Sequence, residues 1–348
     1  MFDFSEVSLK NIIIHKVGSN QEEQSLELSE SVLPELEEDI EHVLVDFFLR
    51  PFKPDAYYHF EHENGLDFHE MFQHTQKLFA DPNLFAAQSQ YIARHLHSVS
   101  THPNIKQGEV YVVHFAGCVV DDEITDAIGI FKSENKDTFL KVVQQNNHYN
   151  VDMQTGINIK KLDKGCLIFN TEEAEGYKIS IVDKTNQSGE AMYWMNEFLK
   201  VNIREDEFYD TKNYIDLCKA FSDDVLTEEN NFNTPDQLNF MKRSQEYFEN
   251  HDKFDEQNFE QEVINEPDII DAFKDFKGEF KEQYETEPNS DFKISKPALK
   301  KQKKYFRPVI KLDKNFHLYV HGNPENMEKG FDDIRRMNYY KLYFNEEN

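Results

Sequence analysis

Apolar residues change their spacing several times along the chain, and each change marks a candidate element. The run Asn11-Ile12-Ile13-Ile14-His15-Lys16-Val17 is β-branched and short, and Ser25-Leu26-Glu27-Leu28 alternates, so both read as strands. From Pro34 to Leu49 the period lengthens to that of a helix, through Leu36, Ile40, Val43, Leu44, Phe47 and Phe48. A second helical region covers 67–99 and breaks near Asp81-Pro82, because proline lacks an amide and crowds the preceding turn. Alternation returns in Glu109-Val110-Tyr111-Val112-Val113-His114-Phe115 and again in Ala127-Ile128-Gly129-Ile130-Phe131-Lys132. The polar Asp121-Asp122-Glu123 between them predicts a long hairpin. Further strands are predicted at 139–143, 165–170 and 177–182, and Ser188 is placed to cap a helix through Met192, Met195, Phe198 and Leu199. Strands interleaved with helices, without a regular βαβ rhythm, predict an α+β fold with antiparallel content.

The pattern shifts at Glu205. Residues 205–291 carry 26 acidic against eight basic side chains, yet apolar residues still recur at helical spacing: Tyr214, Leu217, Cys218 and Phe221, then Phe240, Tyr247 and Phe248, then Ile269, Ile270, Phe273, Phe276 and Phe280. That combination predicts acidic amphipathic helices. At Phe292 the charge inverts. Residues 292–312 hold Lys293, Lys296, Lys300, Lys301, Lys303, Lys304, Arg307 and Lys311 and no Asp or Glu, in a chain of formal net charge -28. Ser295 can cap a helix from Lys296 to Arg307 closed by Pro308, with Lys296, Lys300, Lys304 and Arg307 on one face and Ala298, Leu299, Tyr305 and Phe306 on the other. Alternating runs at 309–312 and 316–320, joined by Asp313-Lys314-Asn315, predict a hairpin, ended by Gly322-Asn323-Pro324 and followed by a last strand at 339–344. Three regions result: a mixed α+β domain at 1–204, an acidic helical segment at 205–291, and a basic helix with hairpin at 292–348. No fixed-period repeat is present.

Composition narrows the class. Hydrophobic residues are only 39%, but 30 Phe and 16 Tyr supply large buried area per residue, so an aromatic core is expected and wholesale disorder is not. Three widely spaced cysteines, Cys118, Cys166 and Cys218, with no C-x-x-C pair, fit small buried hydrophobes in a reducing cytosol. The first residues lack a basic n-region, and no apolar run approaches the length of a membrane span, which predicts a soluble intracellular protein without a signal peptide. Catalytic signatures are missing: there is no G-x-S-x-G, P-loop or G-x-G-x-x-G, and carboxylate pairs carry no signal among 66 acidic residues. No catalytic residue, metal site or cofactor is therefore predicted. His59, Glu61, His62, Glu63, His69, Glu70 and His74 invite a metal reading, but His69 and His74 are five apart and diverge by roughly 140° on a helix. His62 and His69 share a face only if a helix runs through Gly65, so surface histidines are the expectation.

The C-terminal third resembles a known family. Phe292-Lys293-Ile294-Ser295, Leu299-Lys300-Lys301, the 309–313 strand, and 318–322 followed by Pro324-Glu325-Asn326-Met327 are similar to the C-terminal signature of bacterial nucleoid-associated proteins of the NdpA/YejK type. The N-terminal strand ending His15-Lys16-Val17, the 109–131 hairpin and the 176–199 strand-helix unit follow in matching order. The resemblance implies a cytoplasmic, non-enzymatic protein of the nucleoid that associates with DNA. It assigns no catalytic or base-reading residues. This chain departs from the family in the acidity of 205–291 and in concentrating its cations in one segment.

On that reading Lys296, Lys300, Lys301, Lys303, Lys304 and Arg307 are the candidate DNA phosphate contacts, while Tyr305 and Phe306 pack the unit. Four to six such contacts predict a log–log salt slope of about -4 to -5. Repulsion from the acidic body is screened beyond about 8 Å at physiological salt, so the segment can act locally. Non-specific, salt-sensitive DNA binding coupled to basic nucleoid proteins is the expected role. The competing reading is a protein-interaction adaptor whose acidic helices engage basic proteins and neutralise the basic segment internally, without direct DNA contact. Aromatic strands near the C-terminus are compatible with a homodimer.

Overall fold

The computed structural model describes residues 4, 6–22, 25–53, 56–121, 123–145, 148–183, 193–306, 309–320 and 326–346. The chain divides into two compact units, Met1–Arg204 and Glu205–Asn348. The architecture is α+β.

In the first unit, β1 (Ser8–Val17), β2 (Leu26–Glu27), β3 (Tyr58–Phe60), β4 (Gly108–Val120) and β5 (Glu123–Ser133) lead into a separate hairpin of β6 (Lys136–Gln145) and β7 (His148–Ile157). The strands β8 (Lys164–Phe169), β9 (Lys178–Asp183) and β10 (Val201–Ile203) complete the unit. Eight of these form one antiparallel sheet in the order β10-β3-β9-β8-β5-β4-β1-β2. The predicted 109–131 hairpin is its centre, with Val112 opposite Ile130 and Asp121 turning the chain at φ 49°; Asp122 lies outside the described residues.

Period-two alternation sends the two sets of side chains to opposite faces. One set, including Val110, Val112, Ile128, Ile130, Cys166 and Ile168, packs under α2 (Glu70–Ala80) and α3 (Phe85–Val99) through Met71, Phe72, Ile92 and Leu96. Trp194 and Phe198, on a π-helical stretch Tyr193–Leu199, close this core. Ser188 and Met192, predicted to begin that helix, lie outside the described residues. On the other face, α1 (Glu38–Leu49) inserts Phe48, whose ring stacks on Phe131 at 4.4 Å and meets Tyr111 and Phe115 edge-on. The helix is shorter than the periodicity predicts and buries only its last turn; Ile40 and Val43 remain 48% and 43% exposed, and near its start Glu41 instead accepts from the Leu9 amide of β1 at 3.1 Å.

The sheet's far edge depends on one glycine. Gly176 holds φ +87°, and the Phe60 amide donates to its carbonyl at 2.9 Å, bringing the backbone before β9 against β3. A Cβ there would sit 2.1 Å from the Phe60 carbonyl oxygen. Gly176→Ala is expected to destabilise this unit by about 2 kcal/mol through left-handed strain and displacement of β3. Trp194, the one tryptophan and fully buried, reports the transition by fluorescence in urea; an unshifted midpoint would refute the assignment.

The second unit is built on α4 (Glu207–Asp224), α5 (Thr234–Asn250), a short α6 (Glu256–Phe259) and α7 (Pro267–Tyr284). Their starts are written locally: Asp206 accepts from the Phe208 and Tyr209 amides, and Asn233 with Asp236 forms a capping box. A two-stranded ribbon pairs β11 (Lys253–Asp255) with β12 (Asp291–Lys293), leading into α8 (Lys296–Gln302). Two hairpins follow, β13 (Val309–Leu312) with β14 (Phe316–Tyr319), and β15 (Met327–Asp332) with β16 (Met337–Leu342). The first matches the predicted hairpin. β16 starts two residues before the predicted last strand, and β15 is its unpredicted partner; Gly322-Asn323-Pro324 lies outside the described residues.

Candidate nucleic-acid interface

The basic segment is held by the aromatic core beneath it. Phe292 on β12 stacks on Phe254 of β11 at 4.7 Å, and Phe254 lies 4.0 Å from the Tyr214 ring of α4. Ile294, Leu299 and Phe306 join the same cluster as Phe221, Phe248, Phe259 and Phe273. Two backbone amides fix the entry to α8: Ile294 N–H donates to Asp252 O at 2.9 Å, and Ser295 N–H donates to the Thr211 hydroxyl at 2.9 Å. The Ser295 Oγ then accepts from the Ala298 amide, the predicted N-cap.

The helix ends earlier than its sequence predicts. Regular α-helix stops at Gln302, and the Tyr305 amide returns to Gln302 O, three residues back, at 2.9 Å. Continuing to Arg307 would bring the Pro308 ring against the carbonyl of Lys304, four residues earlier, and proline brings no amide to extend the ladder. Lys303 and Lys304 therefore sit in the turn after the helix and not on its face. Arg307 and Pro308 lie outside the described residues.

The predicted division between apolar and cationic sides holds through α8 and the turn after it. Ala298, Leu299, Gln302 and Phe306 are buried, whereas Lys296, Lys300, Lys303 and Lys304 are exposed and Lys301 is half-buried. Tyr305 is partly buried beside Lys304, whose ammonium lies 4.7 Å from its ring centre. Residues 292–348 carry 13 Lys and Arg against seven Asp and Glu, and eight of those cations fall in 292–312, so the excess positive charge is concentrated in the helix and the residues beside it. Carboxylates from the acidic part reach the start of this stretch: Lys296 lies 3.2 Å from Asp252 and Lys293 lies 3.5 Å from Glu207. The four side chains are at least half exposed, and such pairs contribute about 0–1 kcal/mol each. A phosphate can displace a partner held that weakly.

The histidine cluster resolves differently from the surface expectation. His69 is 2% exposed and caps α2; its Nδ1 accepts from the Phe72 amide at 3.2 Å and its Nε2–H donates to Lys200 O at 3.0 Å. His95 on α3, also buried, lies 3.0 Å from both Glu70 Oε2 and Phe198 O, and His74 meets Gln88 at 2.7 Å. Gly65, at φ +97°, separates His62 from α2, so the shared face with His69 does not form. His69 and His95 join α2 and α3 to the π-helical stretch and to Lys200 just after it, and His74 joins the two helices to each other. Among the described residues no group of three His, Cys, Asp or Glu is arranged to hold a metal ion. Sequence reasoning missed their burial because the partners are up to 131 positions away. All three cysteines are buried free thiols; burial raises Cys118 and Cys166 to about 12.

No helix among the described residues is long and apolar enough to cross a membrane. No curated protein matches the chain. The family described as nucleoid-associated protein YejK matches residues 13–338, from the first strand through the beginning of the last, so the match takes in both compact units and the whole basic segment. The chain belongs to the YejK family of nucleoid-associated proteins.

Proposed function

We propose that the chain associates directly with DNA in the cytoplasmic nucleoid, non-specifically, through the phosphate backbone. Lys296, Lys300, Lys301, Lys303 and Lys304 are the contacts, with Arg307 as a sixth cation in the same sequence run. The observation that carries this reading is the cationic rim of α8 and its turn, set on a buried aromatic floor in a family of nucleoid-associated proteins. Folded placement lowers the entropy lost on ordering lysines against phosphates, and lysine ammonium groups suit sequence-independent backbone contact. The acidic helices repel DNA elsewhere, which confines contact to this rim and leaves their own surface for basic nucleoid proteins. No group here is assigned a catalytic role.

Fluorescence anisotropy on a short random-sequence duplex across a salt series tests the proposal. Wild type is expected to show a log–log slope of about -4 to -5, from four to six phosphate contacts. Lys300, Lys301, Lys303 and Lys304 changed together to Gln should lower the slope's magnitude by about 3 to 4 and weaken binding at least tenfold at low salt. Absence of wild-type binding at low salt defeats direct association and leaves the adaptor reading. Equal binding with an equal slope moves the site elsewhere.

A further inference from the structure

A cavity of about 570 Å³ is lined by α5, the loop before it and the start of α7, and falls inside the roughly 300–1,000 Å³ range of small-ligand sites. Its floor is apolar: Leu226, Phe240 and Ile264 are buried, and Phe232 and Ile269 pack against the same core. The polar groups around it fall into two sets. Asp236 is occupied in the capping box, where it accepts from the Asn233 amide at 2.8 Å, and Lys242 lies 4.0 Å from Glu246. Asn239, Arg243 and Glu266 make no side-chain hydrogen bond or ion pair among the described residues. Asn239 and Arg243 are one helical turn apart on α5, and Glu266 stands just before the first turn of α7. Arg243 departs from the rule of its region. Residues 205–291 hold eight cations, and each of the seven lysines lies within 4.0 Å of a carboxylate. Amid 26 acidic side chains, Arg243 alone of the eight has no such partner among the described residues.

We propose that this cavity binds a short apolar peptide with both termini free, its C-terminal carboxylate on Arg243 and its terminal ammonium on Glu266. The groups left over after internal pairing select that class: one guanidinium, one carboxylate and one amide around an apolar floor. A guanidinium fork takes a carboxylate through two parallel hydrogen bonds, and a carboxylate takes an ammonium. The Asn239 amide can both donate to and accept from a peptide bond. Charge opposes a simple anion, since 26 acidic against eight basic side chains repel it, whereas a zwitterion is neutral. Size sets the length. A cavity of this volume is about 8 Å across if equidimensional, the reach of about two to three extended residues. None of the proposed DNA contacts lines the cavity, so the two proposals stand or fall separately.

Isothermal titration calorimetry of the full chain with the tripeptide leucyl-phenylalanyl-leucine tests this. Wild type should bind it with a Kd of about 100 µM at about pH 6.5, where the peptide's amine is charged and its carboxylate ionised. Amidating the C-terminus and acetylating the N-terminus should each weaken binding about tenfold. Arg243→Gln should weaken the free peptide by the same factor and leave the amidated one unchanged. Glu266→Gln should do the same for the free and the acetylated peptides. Triglycine has the same termini but nothing to cover the floor, and should bind at least about tenfold more weakly. Arg243 and Glu266 are exposed and hold no internal bond through their side chains, so unchanged circular dichroism of both variants separates lost binding from lost fold. No wild-type binding at about 5 mM peptide, or binding indifferent to either substitution, overturns the proposal. So does a loss on either substitution that persists in full with the matching capped peptide.

Discussion

Phe254→Ala is expected to remove about 3–5 kcal/mol from the second unit, the range for deleting a buried aromatic ring. Phe254 is fully buried, stacks on Phe248 and Phe292 at 5.6 and 4.7 Å, and touches Tyr214, Tyr247 and Phe259. It also sits in the middle of β11, opposite Phe292, so the cavity opens beneath the ribbon that delivers α8. Hydrogen exchange should show β11 and β12 amides opening early, and urea unfolding followed by circular dichroism should give the lost free energy. DNA affinity, on the proposed reading, should fall without any lysine having been changed. Phe254→Leu, which keeps most of the volume, should recover over half of the stability. A loss below about 1 kcal/mol for the alanine variant would mean that the ribbon is not held by this ring cluster.

Acid should weaken the first unit well above the range in which carboxylates titrate. His15 is 1% exposed; its Nδ1 accepts from the Ser29 amide at 3.1 Å, and its Nε2–H donates to Ser89 Oγ at 3.2 Å, whose own proton goes to Ala86 O. A proton on Nδ1 would face the Ser29 N–H. Burial, with the Arg94 guanidinium adding to it, holds the His15 pKa down at about 4, and burial likewise lowers His69 and His95. A depressed histidine pKa means the unfolded chain binds more protons below about pH 6.5, so stability is complete above that pH and is lost as pH falls toward the folded value near 4. His15 alone should account for about 2.5 kcal/mol lost by pH 4.5. Urea midpoints read by Trp194 fluorescence between pH 7 and 4.5 measure the loss. His15→Gln should start lower and show a flatter slope, and a wild-type midpoint independent of pH over that window would rule out a buried neutral His15.

Some features were readable because they depend on neighbours in sequence. The 109–131 hairpin, the proline break between α2 and α3, the Ser295 cap and the acidic amphipathic helices all express local spacing or local hydrogen bonding. The candidate DNA contacts were equally legible as a charge inversion at Phe292, and the apolar side of their own segment was readable at Ala298, Leu299, Tyr305 and Phe306. Other features had no local signal. The run 139–143 predicts a strand, but nothing in it says that its partner is His148–Ile157 or that the pair stays outside the main sheet. His69 shows no mark of burial until Lys200 meets it, and Lys303 leaves the helix because of a proline five residues later.

The amino-acid order by itself determined the α+β class, the family resemblance, and where along the chain positive and negative charge fall. Those follow from periodicity, composition and motif, which are properties of contiguous residues. Tertiary structure alone decided that Phe292, Leu299 and Phe306 of the cationic segment share one core with Tyr214, Phe254 and Phe273 of the acidic helices. Opposite charges therefore belong to one folded body, with their carboxylate and ammonium groups at its surface and their rings inside. Burial of aromatic area drives that union and is indifferent to which segment supplies a ring. Charge run and hydrophobic stripe can be read in one dimension; which stripe meets which is settled only when the chain closes on itself.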